Sequence, residues 1–136
     1  MKRSSIMLAG LGALAVAASL PAVGMAQGKS GGEVLAALSP GLWSVRFRDG
    51  APERKICVRS GQELVQLRHA ASSCKRYVTE NGRSAVTVQY SCQGTGHGRT
   101  SFRVESSELV QIESQGIDRG RPFRFSAEAR RAGSCR

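Results

Sequence analysis

Aromatic side chains are scarce in this 136-residue sequence, which holds four Phe, two Tyr and one Trp. So few rings leave a lean core, and a domain of this kind leans on covalent supports. Histidine is scarcer still: His69 and His97 are the only two, and the four cysteines include no C-x-x-C and no pair closer than 17 positions. That spacing excludes the usual zinc sites. No G-x-S-x-G elbow stands between a strand and a helix. Neither histidine has a neighbour in sequence that would make it the base of a hydrolase. His69 reads as a residue at a helix end, where it suits the dipole, and His97 as a residue of a hairpin loop. The ten acidic residues show no spacing that singles out a pair for glycoside chemistry. Basic residues are scattered and never form a block of roughly five to eight, which argues against a nucleic-acid arm. No repeat or heptad is present. The sequence thus names no catalytic residue, no cofactor-binding residue and no metal ligand, and it reads as a non-enzyme.

What is present begins with an address. Met1-Lys2-Arg3 supplies a positive start, and Ile6 to Leu20 is uncharged and almost wholly apolar. Pro21 follows, then Ala22-Val23-Gly24-Met25-Ala26, with Gly24 and Ala26 at the small-residue positions of a cleavage site before Gln27. The apolar run falls short of the ~20 residues that span a bilayer, and no cysteine follows it to carry a lipid. The expected organisation is a cleaved signal peptide over 1–26, a flexible lead-in with a short helix over 27–39, and a disulfide-bonded β domain over 40–136. The implied location is periplasmic or secreted, with no transmembrane span in the mature chain.

All four cysteines, Cys57, Cys74, Cys92 and Cys135, fall in the mature part. An even number in a small exported domain predicts two disulfides. If Cys74 and Cys92 bracket a hairpin, Cys57 is left to pair with Cys135; the other two connectivities remain open at this stage.

Along the mature chain, Glu33 to Leu38 predicts a short helix stopped before Pro40. From Gly41 the period changes to two: Trp43, Val45 and Phe47 alternate with Ser44, Arg46 and Arg48. That alternation assigns Trp43 to the core rather than to a stacking site. Asp49-Gly50 is a turn signal, and Arg54 to Val58 is the return strand. Ser60-Gly61-Gln62-Glu63 fits a capping box for a helix of about two turns, ending near His69. Cys74 to Thr79 and Ser84 to Cys92 flank Asn81-Gly82, a strong hairpin signal. Val86, Val88, Tyr90 and Cys92 share one face of the second of these strands. The Gly94–Gly98 loop leads to a strand bearing Thr100, Phe102 and Val104. A phosphate-cradling glycine loop would lead into a helix instead. Val110 and Ile112, then Phe123, Phe125, Ala127 and Ala129, complete the meander, with Ile112 expected opposite Phe125 and Glu113 opposite Arg124. The fold class is mainly β: a single curved antiparallel sheet or partly open barrel of about seven strands, with one or two short helices.

Pro40-Gly41-Leu42-Trp43, an early strand ending at Cys57, the mid-chain Cys74 and Cys92, and the ending Arg130-Arg131-Ala132-Gly133-Ser134-Cys135 occur in this order. In that pattern the chain resembles a family of small exported bacterial proteins classed as a domain of unknown function. The resemblance spans nearly the whole mature chain and implies an exported, β-rich protein. It carries no activity. Ala132 departs from the aromatic or aliphatic residue usual before the terminal glycine, which implies looser packing of the last strand.

Once the signal is removed with Lys2 and Arg3, 18 basic residues, 15 of them Arg, stand against 10 acidic ones. Guanidinium groups pair with phosphate and carboxylate through two parallel hydrogen bonds, although a GC-rich genome gives the same bias without a partner. Arg46, Arg48, Arg99, Arg103, Arg124 and Arg130 all take the outward parity of their strands and form the candidate binding face. The preferred expectation is a non-catalytic exported binding module that meets an anionic envelope component or a partner protein through this face. Nucleic acid is disfavoured, because no aromatics interleave the arginines. The alternative is a calycin-like binder of a small apolar ligand in an interior cavity, with a hydrolase a distant third.

Overall fold

In a computed structural model that describes residues 31–136, the alternation starting at Gly41 is realised as a strand. The expected signal segment, its cleavage point and residues 27–30 of the lead-in lie outside the described residues. Gly41, Trp43 and Val45 are buried, while Arg46 is exposed. The described chain runs α1 (Gly31–Ala36), β1 (Gly41–Phe47), β2 (Arg54–Val58), two single 3-10 turns (Gln62–Leu64 and Leu67–His69), β3 (Cys74–Asn81), β4 (Ala85–Cys92), β5 (Gly96–Ser106), β6 (Leu109–Asp118) and β7 (Arg121–Gly133). The strands form one open antiparallel sheet in the order β2-β1-β7-β6-β5-β4-β3. Consecutive hairpins build β3 to β7, and the first hairpin docks onto the last strand through β1.

Because β2 and β3 lie at opposite edges, the chain between them must cross the sheet. It does so over the inner face, and Leu64, Val65 and Leu67 are buried on the way. Both edges hold it: Arg54 of β2 donates to the Leu67 carbonyl at 2.8 Å, and Arg76 of β3 donates to Gln66 Oε1 at 2.7 Å. Helix α1 covers the same face, burying Val34 and Leu35, with Leu38 just beyond it. Trp43, Phe102, Leu35, Leu64 and Ile112 are the largest fully buried side chains, and together they fill the space between sheet and covering segments. Trp43 is core as expected, its indole N–H donating to the Ser39 carbonyl at 3.0 Å.

The two disulfides are Cys74–Cys92 and Cys57–Cys135. Cys74 and Cys92 face each other in the β3–β4 pair. Two disulfides in so small a domain belong to an oxidising, extracytoplasmic compartment.

Four local expectations are corrected. The capping box opens a 3-10 turn rather than a two-turn helix. Glu63 does reach back, accepting from the Arg59 and Ser60 N–H groups at 3.1 and 3.2 Å, but the Ser60 hydroxyl accepts from Gln62 instead. Gly61 takes a left-handed φ of 81° and lies hard against the Leu35 backbone, where a side chain would not fit. The chain then breaks at Gln66, whose own amide serves the His69 and Ser72 carbonyls. That break leaves the Val65 carbonyl to accept from the Thr100 hydroxyl at 2.6 Å.

The β3–β4 hairpin turns at Arg83-Ser84, with Asn81 still paired to Val86 and a bulge near Thr79. His97 lies in β5, paired with Ser91 and Ile117, because the loop closes between Cys92 and Gly96. Ile112 faces Ala127 and Glu113 faces Ser126; Arg124 meets Gln115. The tight turn Arg119-Gly120, both residues at positive φ, sets that register.

Candidate functional site

Strand alternation carries Arg46, Arg99, Arg103, Arg124 and Arg130 to the outer face of the sheet, and Arg48, in the turn after β1, reaches Gln111 on the same face; the pairing register decides what each meets. Arg103, Gln111, Glu128 and Arg46 follow one another across β5, β6, β7 and β1. In this part of the face three of the four candidate arginines lie close to an acid. Arg46 lies 3.9 Å from Glu53, Arg103 lies 3.3 Å from Glu105, and Arg130 lies 3.6 Å from Glu128. Arg48 donates to Gln111 at 2.6 Å. The Glu128 carboxyl is held below its ordinary value, first by the Gln111 amide, against an opposing effect of desolvation, with Arg130, Arg46 and Arg48 each adding less. Such exposed pairs contribute ~0–1 kcal/mol each and leave little charge for a ligand.

The other end of the face is different. Two cross-strand rows, Tyr77–Gln89–Arg99–Gln115–Arg124 and Lys75–Ser91–His97–Ile117–Pro122, contain cations and no acid. They outline a groove of about 710 Å³ to which all of these residues but Lys75 contribute. Arg99 is tied to Glu80 of the next row at 2.8 Å. The Glu80 carboxyl is held below its usual value by the Thr87 hydroxyl first and Arg99 second. Arg124 has no ion pair or hydrogen-bond partner among the described residues. It stands two strands from Arg99, roughly 10 Å along the sheet, and the two share with Gln115 and with Glu113 of the next row a smaller pocket beside the groove. Tyr77, 60% exposed, forms the apolar lip on edge strand β3.

Beneath the groove lies a buried polar chain that no spacing in the sequence announces. Tyr90 also lines the groove, and its ring packs over Gly98, where any side chain would collide with it. Its hydroxyl lies 3.0 Å from His69 Nδ1. His69 Nε2, buried and without a hydrogen-bond partner, lies 3.7 Å from Asp118 Oδ1, and Asp118 accepts from Arg68 Nε at 2.9 Å. Burial pushes the Tyr90 phenol up to about 12, so the hydroxyl stays neutral. A neutral, buried phenol on a buried histidine props the groove floor.

His69 is therefore a core residue at the end of a 3-10 turn, joined to Tyr90 and Asp118 by folding alone. His97 is exposed on the outer face. No group of three or more His, Cys, Asp or Glu side chains gathers as a metal site among the described residues, and none of their helices is long and apolar enough to cross a membrane. No family model, curated protein or solved structure matches the chain.

Proposed function

We propose that this chain is an exported, periplasmic or secreted, non-catalytic binding module. It takes an anionic envelope component in the groove between Tyr77 and Arg124. The observation that carries the reading is Arg124, a guanidinium without a counter-ion beside Arg99, in a groove whose two rows hold no acid. The proposal narrows the six-arginine face to two members. Arg46, Arg103 and Arg130 each lie within 3.9 Å of an acid, Glu53, Glu105 and Glu128, although Glu53 also serves Lys55, so that end offers less uncompensated charge. An enclosed apolar site has less support, because the side chains between sheet and covering segments are fully buried against one another.

The test is co-sedimentation of the oxidised mature protein with phosphatidylglycerol and phosphatidylcholine vesicles at low and high salt. Binding to the anionic vesicles should fall steeply as the screening length shortens from ~10 Å at 0.1 M toward ~3 Å at 1 M. Arg99→Gln with Arg124→Gln should weaken it about tenfold or more, the loss expected for one charge-assisted hydrogen bond of ~1.5–3 kcal/mol. Arg46→Gln with Arg103→Gln should leave it nearly unchanged. Equal loss from both pairs would reject the groove as the site, and equal binding to neutral vesicles would reject an anionic ligand.

A further inference from the structure

The sheet's inner face ends in a second cleft, which shares Phe123 and Arg124 with the outer groove but none of its other lining residues, and its composition is unusual for this chain. Of the four phenylalanines only Phe102 is fully buried; Phe47, Phe123 and Phe125 are left half-buried, side by side. Phe47 meets Phe125 edge-on at 5.3 Å, and Phe125 stacks on Phe123 at 6.2 Å. With Leu67 they line a cleft of about 550 Å³, within the ~300–1,000 Å³ range of small-molecule sites. Phe47 and Phe125 pack against the core and also contribute surface to the cleft.

The charges at the rim decide what fits. Asp118 is already matched by Arg68, whose guanidinium also lies 5.8 Å from the Phe123 ring centre. Asp49 accepts from the Ala51 N–H at 3.0 Å. Arg54 is anchored to the Leu67 carbonyl. Arg119, at the lip, has no side-chain partner among the described residues. It occupies the tight β6–β7 turn at φ 49°, where it is the one non-glycine residue of positive φ among them. Asn, Asp or Gly is the usual occupant of such a position, so an arginine is held there at some local cost. Aromatic walls with a free guanidinium at the mouth suit a ligand with an apolar body and one negative end.

We infer that this cleft binds a free, single-chain amphiphile with a carboxylate head: the chain lies against Phe47, Phe123 and Phe125, and the carboxylate pairs with Arg119. A positively charged head is disfavoured, because Asp118 is paired with Arg68 and the four lining cations, Arg54, Arg68, Arg119 and Arg124, outnumber the two lining acids, Asp49 and Asp118. The cleft lies on the opposite face of the sheet from Arg99, so the two sites can be separated by substitution.

The experiment titrates the oxidised protein with hexanoate, octanoate and decanoate below their micelle concentrations, and with decyltrimethylammonium, while following the aromatic ring resonances. Affinity should rise up to about fourfold for each added methylene that is buried, and the shifts should centre on Phe47, Phe123 and Phe125. Arg119→Gln, at an exposed turn, should weaken decanoate several-fold yet keep the chain-length dependence. Arg99→Gln should leave the chain-length dependence and the shifts at Phe47, Phe123 and Phe125 as they are. Binding without chain-length dependence, equal binding of the ammonium compound, shifts confined to Tyr77, or no binding at all would each overturn the inference.

Discussion

Removing the two disulfides one at a time should separate chain entropy from packing in this domain. The Cys57–Cys135 bridge closes a loop with a sequence separation of 78, and the Cys74–Cys92 bridge one of 18. In the loop-closure treatment the longer loop stabilises the fold by about 4.5 kcal/mol and the shorter by about 3.2 kcal/mol at 25 °C. The shorter loop is nested inside the longer, so each value hardly depends on whether the other bridge is present. Packing works in the opposite direction. Cys92 is buried, whereas Cys135 is exposed, so truncation at the shorter bridge also leaves a small void. The expected order is therefore Cys57→Ala with Cys135→Ala more damaging than Cys74→Ala with Cys92→Ala, by ~1 kcal/mol or somewhat less. Against a typical total of ~5–15 kcal/mol, the first variant should be only marginally folded. Urea unfolding followed by far-ultraviolet circular dichroism gives both free energies, and the urea dependence should steepen as each cross-link is lost from the unfolded chain. If the nested pair proved the costlier, native contacts at Cys92 rather than loop entropy would be the source of stability. Unchanged midpoints in both variants would refute the structural role of the bridges altogether.

Thr100→Val should cost about 1–3 kcal/mol, because it strips the donor from the buried Val65 carbonyl and a partner from Ser114; a neutral result in urea unfolding would mean that the carbonyl finds another donor. Partial burial raises the Glu63 carboxyl, but hydrogen bonds from the Glu63, Arg59 and Ser60 N–H groups and the Ser60 hydroxyl outweigh it and hold it below its ordinary value. Its contribution to stability is thus present above the ordinary carboxylate range and lost as pH falls through the lowered folded value. Glu63→Gln should flatten the acid limb of a stability–pH curve, and an unchanged limb would remove Glu63 from the account. Tyr90, raised to about 12 by burial, contributes stability in the opposite sense: full below the phenol's ordinary 10 and lost as pH rises through about 12. Phenolate absorbance should show this tyrosine ionising only as the fold opens; ionisation near 10 in the folded protein would contradict its burial.

Much of the fold was legible because alternation is a local property. Trp43 and Val45, Val86 to Cys92, and Phe102 announce their faces through nothing more than spacing, and the outward parity of the six arginines follows from the same rule. What failed was information that alternation does not contain. A slip of two residues leaves every side chain on its own face, so the apolar pattern accepts Ile112 opposite Phe125 as readily as opposite Ala127. The Arg119-Gly120 turn chose between them and thereby moved Arg124 away from Glu113. The segment after Ser60 failed for a related reason: the chain breaks at Gln66, and Thr100, distant in sequence, supplies the donor that the Val65 carbonyl would have found in a helix.

By itself, then, the sequence determined the class of the fold, the side of the sheet on which each residue stands and the need for two disulfides, since these depend on composition and on spacing along one strand. Only the tertiary structure decided which arginines lack a counter-ion, how His69, Tyr90 and Asp118 meet, and that three phenylalanines share one cleft. Those facts depend on register between strands and on the path of one crossing segment, where partners are set by distance in space and not along the chain.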